Sequence, residues 1–341
     1  MKIVIVGAGG RLGAALMREY QDKFDVSGFN HAQLDLSNLD DLREKLNATN
    51  FDVLINAAAF TNVDLCETQR DRAFLINAEA PGVLASICSE KNAKLIHFST
   101  DYVFDGEKPE PYTEEDEANP ISVYGESKLA GEKNVLAAVR ETDGFPGTAT
   151  PSHTDNPVPR HLIVRVSWVF GPDRPSFIDA IIKRAREERQ VDAIADKFST
   201  PTYTRDIAEM LPRFFTGVAV AETDGHGSRT TAGRGSGIPT GITDPGYSVS
   251  DYGGILHFAN AGECTWQEYA QWALDCCHEA GLPLKAKTVG ALKLEEMKDW
   301  VARRPVYSVL STARYTHLTS TPPRAWREAV TDYITRFYSK K

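Results

Sequence analysis

The sequence predicts an α/β chain built on a parallel, doubly wound sheet, followed by a smaller α/β unit. Three observations point there. Apolar β-rich runs alternate with helix-compatible stretches, a rhythm that gives parallel strands with helices on both faces. The first run, residues 2–6, is a continuous β-branched stretch that stops at glycines, as a strand buried on both faces does. The turn G-A-G-G-R-L-G follows it and leads into a helix-compatible run over 14–20.

Strand, glycine turn and helix together open a dinucleotide-binding, Rossmann-like unit, in which backbone N–H groups at the helix start cradle a pyrophosphate. Gly7, Gly10 and Gly13 give G-x-x-G-x-x-G, because Leu12 stands where the commoner G-x-G-x-x-G form needs glycine. A second strand is expected over 26–29. Asn30 and His31 follow it in place of the acidic residue that would hold an adenosine ribose. Arg11 in the turn could meet a 2′-phosphate, which favours NADPH over NADH.

Ser37 is the expected N-cap of a helix through residue 46, just after Leu34-Asp35-Leu36. Residues 52–55 form the third strand and run into Asn56-Ala57-Ala58-Ala59, small residues against which a cofactor can lie. One helix is expected over 67–89. The next strand, 94–98, delivers Ser99-Thr100-Asp101 to the same edge of the sheet, where the Thr100 hydroxyl could donate to a substrate carbonyl. The run 161–170 is again β-rich and ends in Trp168-Val169-Phe170-Gly171.

Between them lies S-V-Y-G-E-S-K-L-A-G-E, residues 122–132. Tyr124 and Lys128 are four apart, so a helix sets both on one face with the ammonium beside the phenol. A phenol titrates near 10 and becomes a useful acid once a cation favours its ionised form. Such a tyrosine can protonate a carbonyl oxygen while hydride reaches the carbon. Taken alone, such a pair is more often two ordinary residues on a solvated helix; the surrounding strands and glycine turn give it meaning.

Two stretches break the rhythm. Residues 142–160 carry four prolines, and 217–254 are rich in Gly, Ser and Thr; both suggest surface or disorder-prone insertions. The division is therefore 1–170 for the dinucleotide unit and 171–341 mainly for a substrate-binding unit, with some segments returning to the sheet. In the latter, Thr265–Glu268 is a capping-box pattern ahead of a helix to about 280, a strand is expected near 286–289, and a last helix over 323–338. Trp266, Trp272 and Trp326 are expected to pack there.

Bulk properties set limits. The 341 residues allow one large domain or two, and the net charge of −9 argues against a nucleic-acid surface. The five cysteines are scattered without metal-ligand spacing, so they are expected to be reduced thiols in a cytoplasmic protein. No stretch has the apolar length of a membrane span, and no signal segment is expected.

With these pieces in order, the chain resembles the dTDP-4-dehydrorhamnose reductase family of extended short-chain dehydrogenases. The matching stretches are G-A-G-G-R-L-G, D-V-L-I-N-A-A-A-F-T-N-V-D, H-F-S-T-D-Y-V-F-D-G, the Tyr124 motif, R-V-S-W-V-F-G and A-R-R-P-V-Y-S. The resemblance implies NAD(P)H-dependent reduction of the C4 ketone of a dTDP-4-dehydro-L-rhamnose. It implies Tyr124 as proton donor, Lys128 as the group that lowers its pKa and holds the nicotinamide ribose, and Thr100 on the carbonyl. It implies cofactor contacts at Gly10-Arg11-Leu12, Asp35-Leu36 and Ala58-Ala59-Phe60. Sugar-nucleotide contacts are implied at Thr100, Asp101 and Trp168, with Thr61, Val63 and Arg304 further out. Some family members bridge two chains through a metal held by an acidic residue in the first helix; Ala14-Ala15 stand there, so no metal is expected. A monomer or a homodimer is expected, with the choice between them open. Rival readings are a ketoreductase or epimerase on another nucleotide-deoxysugar, and a non-catalytic partner resembling the methionine adenosyltransferase β subunit.

Overall fold

The computed structural model describes residues 1–142, 161–216, 249 and 252–339. Both expected insertions fall largely outside these residues. Six parallel strands form the central sheet. Five are β1 (Lys2–Val6), β2 (Asp25–Phe29), β3 (Val53–Asn56), β4 (Lys94–Thr100) and β5 (Leu162–Val166). The sixth, Gly254–His257, pairs with β5 at the edge, and the order across the sheet is Gly254–His257, β5, β4, β3, β1, β2. The chain steps from β1 to β2 on one side and then to β3 on the other. That reversal opens a crevice at the C-terminal ends of β1 and β3, where ligands bind in such sheets.

The helices α1 (Arg11–Tyr20), α2 (Leu39–Asn47), α3 (Val63–Thr68), α4 (Arg70–Phe74), α5 (Ala80–Glu90) and α6 (Val123–Thr142) come with these strands. One apolar cluster joins Leu42, Leu46, Leu84 and Ile87 to the β1, β3 and β4 residues Val4, Leu54 and Leu95. A second joins Leu12, Leu16 and Tyr20 of α1 to Ile3, Ile55 and Val164 on the other face. The sheet is buried on both faces, which is why its strands are near-continuous apolar runs.

Several boundaries differ from the sequence expectation. Asn38, not Ser37, caps α2, its Oδ1 accepting from the Asp41 N–H. The single helix expected over 67–89 is broken: Gln69 leaves helical geometry at φ −125°, and a π-turn over Leu75–Glu79 precedes α5. The β-rich run 161–170 stops after β5, and Val169–Phe170 pairs instead with Thr202–Tyr203. The Gly-rich stretch expected to reach 254 ends sooner, because Tyr252 is buried and Gly254 already belongs to the edge strand.

The second unit has its own core. Helices Phe177–Glu187, Trp266–Glu279 and Trp326–Phe337 pack around Phe170, Tyr203 and Tyr269. Thr265 caps the second of these in a full capping box with Glu268. The strand expected near 286–289 lies at Val289–Leu292, paired in parallel with Val191–Ile194. Among the described residues, no helix is long and apolar enough to cross a membrane.

Candidate active site

The glycine turn closes on the end of β3. Gly7 has φ +83°, and a Cβ there would come within 2.7 Å of the Ala58 nitrogen. Gly10 caps α1 with no side-chain bond, and the first turn of the helix has no acidic residue, so its N–H groups are left for a ligand. Ala58, Ala59 and Phe60 continue from β3 and are half-buried. Leu36 is core, and the Asp35 carboxylate accepts from the Ser37 N–H.

Arg11 does not stand free at this turn. Its guanidinium donates to the carbonyls of Val169, Arg174 and Pro175, so the 2′-phosphate role read from sequence meets a side chain already committed to the neighbouring loop. That loop returns Arg174, which donates to the Gly9 carbonyl and brings a second arginine to the turn. Nothing in the sequence places residue 174 beside residue 9.

The motif helix α6 seats closely on its neighbours through its glycines. A Cβ at Gly125 would collide with the Tyr102 carbonyl, and one at Gly131 with the Asn77 carbonyl. Asn77, in the π-turn, accepts from the Phe60 N–H and donates to the Phe60 carbonyl and the Ser127 hydroxyl. It thus ties the loop after β3 to α6, and π-turns recur at functional sites.

A cavity of about 370 Å³ is lined by Thr100, Asp101, Tyr124 and Trp168 together with Thr61, Val63 and Arg11. Tyr124 is half-buried, and desolvation pushes its phenol well up; the adjacent Thr100 hydroxyl partly offsets this. The sequence expectation of an ammonium beside the phenol is altered. Lys128 Nζ donates to the Phe98 carbonyl at 2.6 Å and lies 3.3 Å from His97 Nε2. Burial lowers Lys128 to about 8, against the pull of Glu132. The distance between Tyr124 and Lys128 along the helix is as expected; the lysine head turns to β4 instead.

Asp101, expected as a sugar-nucleotide contact, is a tie within the protein. Its carboxylate accepts from the hydroxyls of Thr100, Ser199 and Ser308, and the buried Lys197 ammonium offsets the rise that burial imposes. Trp168 carries a positive φ of +39°, strained for a bulky residue, and its indole N–H is buried without an acceptor. Trp266 lines the same cavity, edge to face with Trp168 at 5.6 Å, so it is a wall of the site and not packing alone. Arg304 lies outside this cavity. It pairs with Asp64 at 2.8 Å, stacks on Trp300 at 3.7 Å and borders a larger, more open depression of about 500 Å³ lined by Ala302, Arg303 and Val306 of its own motif and by none of Thr100, Asp101, Tyr124 and Trp168.

The family described as RmlD substrate binding domain matches residues 1–145, 148–227 and 223–339. The dTDP-4-dehydrorhamnose reductase of Mycolicibacterium smegmatis is 32% identical over 98% of this chain and 85% of its own. This chain belongs to the dTDP-4-dehydrorhamnose reductase family. A probable dTDP-4,6-dihydroxy-2-methyloxan-3-one 4-ketoreductase of Streptomyces antibioticus is 31% identical, over 97% of this chain and 93% of its own. The crystal structure of the Bacillus anthracis reductase in complex with NADP superposes with a TM-score of 0.76 at 26% identity, covering 98% of this chain and 99% of that one. Within the family, the Tyr124 motif is the helix just described, and its two glycines and Glu132 have packing reasons of their own.

Proposed function

We propose that this protein is an NADPH-dependent reductase that converts the C4 ketone of dTDP-4-dehydro-L-rhamnose to the alcohol of dTDP-L-rhamnose. One observation carries the proposal: Thr100, Tyr124 and Trp168 share one cavity, and Arg11 of the glycine turn lines it too. The glycine turn has the shape a dinucleotide needs, since a side chain at Gly7 would strike Ala58. Gly7, Gly10, Leu12 and Gly13 would hold the cofactor's phosphates, with Asp35-Leu36 and Ala58-Ala59-Phe60 beside them. Bound there, NADPH supplies the hydride; NADH is the second donor to assay, because the Arg11 guanidinium is already committed to the carbonyls of Val169, Arg174 and Pro175.

The chain's own part is proton and charge control. Tyr124 donates its proton to the developing alkoxide, and the Thr100 hydroxyl rotates its proton from Asp101 to the same oxygen. Lys128, in its cationic form, stabilises the tyrosinate left behind. Trp168 walls the cavity for the sugar nucleotide, with Asp101, Thr61 and Val63 around it and Arg304 beyond the cavity's edge. Residues 171–341 supply most of the substrate-binding unit. The five free cysteines are all buried thiols, in keeping with a cytoplasmic protein acting as monomer or homodimer. The similarity to the Streptomyces enzyme favours, as second reading, a ketoreductase for another dTDP-deoxysugar with the same catalytic residues.

The test is oxidation of NADPH and NADH with enzymatically prepared dTDP-4-dehydro-6-deoxy-L-mannose, beside Tyr124→Phe. The mutant is expected to lose at least about 10²-fold in kcat. Unchanged turnover in the mutant would remove Tyr124 as proton donor. NADPH binding without turnover would direct the search to another sugar.

A further inference from the structure

Lys128 faces a histidine, and the direction of the hydrogen bonds behind that histidine is fixed. His97 Nε2 lies 3.3 Å from Lys128 Nζ, and His97 Nδ1 lies 3.0 Å from Asn56 Nδ2. Asn56 Oδ1 in turn accepts from the Ala58 N–H at 3.1 Å. A backbone N–H can only donate, so the amide oxygen must face it and the amide NH2 must face the ring. His97 Nδ1 therefore accepts. The single proton of a neutral ring then sits on Nε2, directed at Lys128. A protonated ring would set its Nδ1–H against the Asn56 NH2, and burial with the neighbouring lysine also keeps His97 neutral. An ammonium has no lone pair to accept the Nε2–H. The contact is a hydrogen bond only when Lys128 is an amine.

The other groups around Lys128 do not reverse this. Glu132, one turn along α6, is gripped by Arg165 of β5 through bonds of 2.7 and 2.9 Å, which offsets its charge. The Phe98 carbonyl accepts equally from an amine or an ammonium, and Tyr124 is a neutral phenol held so by burial.

We propose that His97 is a positioning residue which, in a tautomer set by Asn56, presents its Nε2–H to Lys128 and biases the cofactor-free protein toward the neutral amine. Lys128 then exchanges its proton readily instead of holding a permanent charge. The kinetic part of this proposal rests on the reductase reading; the tautomer does not.

The experiment is ¹⁵N–¹H NMR of the histidine rings in the labelled, cofactor-free protein, joined to pH profiles. His97 is expected as a neutral, Nε2-protonated ring throughout the range from about pH 6 to about pH 9. In Asn56→Asp the carboxylate accepts from both Ala58 and the ring, so the tautomer is expected to switch to Nδ1–H. The alkaline limb of kcat/KM for NADPH, which reports the free protein, is then expected to move up by about one pH unit. His97→Phe removes the N–H without adding charge and should move the limb the same way, whereas a purely structural role would lower the rate at every pH and leave the limb in place. A wild-type ring that is Nδ1-protonated or charged overturns the proposal, whether or not either variant folds. A switched tautomer with an unmoved limb overturns the coupling to Lys128. Because the ring is read without turnover, its failure and that of the reductase reading are separable.

Discussion

Two buried histidines face two buried cations in this protein, and their rings are turned opposite ways. His257 Nδ1 lies 3.1 Å from the Tyr112 carbonyl, and its Nε2 lies 3.3 Å from Arg165 Nη1. A carbonyl can only accept, so this ring carries its proton on Nδ1 and offers a lone pair to the guanidinium. Arg165 also holds Glu132 in a two-bond grip and lies 5.1 Å over the Phe104 ring. All three contacts favour a fixed charge. At Lys128 the chain of bonds begins at a donor, the Ala58 N–H, and arrives as a donor. The difference lies one group beyond the histidine, and it separates a cation that holds the fold from one whose proton is meant to move.

The sharpest way to break this comparison is to remove one charge from each region. Glu132→Gln leaves Arg165 buried without its counter-charge and is expected to cost roughly 3–5 kcal/mol in denaturant unfolding, as broken buried pairs do. Lys128→Met should cost less than about 1 kcal/mol, because Lys128 has no ion pair among the described residues and burial opposes its charge. Equal losses in the two variants would show that the lysine is structural after all. The same Lys128→Met is expected to lower NADPH oxidation by at least about 10²-fold, so stability and activity should part company.

A smaller effect sharpens the point through pH. Burial holds Lys128 at about 8 in the folded chain against an ordinary lysine value of 10.5. Between these values the unfolded chain binds more protons, so the wild type should gain stability as pH rises through that window. The gain is lost again as pH falls toward 8. Lys197, buried and also lowered to about 8, contributes in the same sense, so Lys128→Met should retain only part of the rise in a urea midpoint series. Smallest of all, His257→Phe should leave the alkaline limb of kcat/KM where it is, although the two histidines look alike in sequence. A shift there as large as in His97→Phe would erase the distinction.

Much of this was legible beforehand, for physical reasons. Strands buried on both faces are continuous apolar runs, so β1, β3, β4 and β5 stand out. The glycine turn and the Tyr124 helix announce themselves because close backbone approach and an i, i+4 pair leave a spaced pattern in the residues. His97 gave no such sign. It sits between Ile96 and Phe98 in a buried strand and reads as core, and its partners Asn56 and Lys128 are 41 and 31 residues away. Asn77 was hidden likewise, since its bonds to Phe60 and Ser127 span 17 and 50 residues. Trp266 has the spacing of a packing residue on an amphipathic helix, and only the tertiary fold turns it to the cavity. The direction of the Lys128 head also escaped, because helical spacing sets where a side chain starts and not which strand its end will meet.

The edge strand Gly254–His257 has a consequence for any attempt to divide the chain. It reaches β5 only after the chain has passed through Val191–Ile194 and Thr204–Met210, so the dinucleotide unit is not finished at residue 170. A polypeptide stopped there would display β5, five buried residues of L-I-V-R-V, as an open row of unsatisfied donors and acceptors. Such an edge recruits other copies of itself. Shortened forms should therefore precipitate, and a soluble fragment would need the 254–257 segment joined directly to its neighbour.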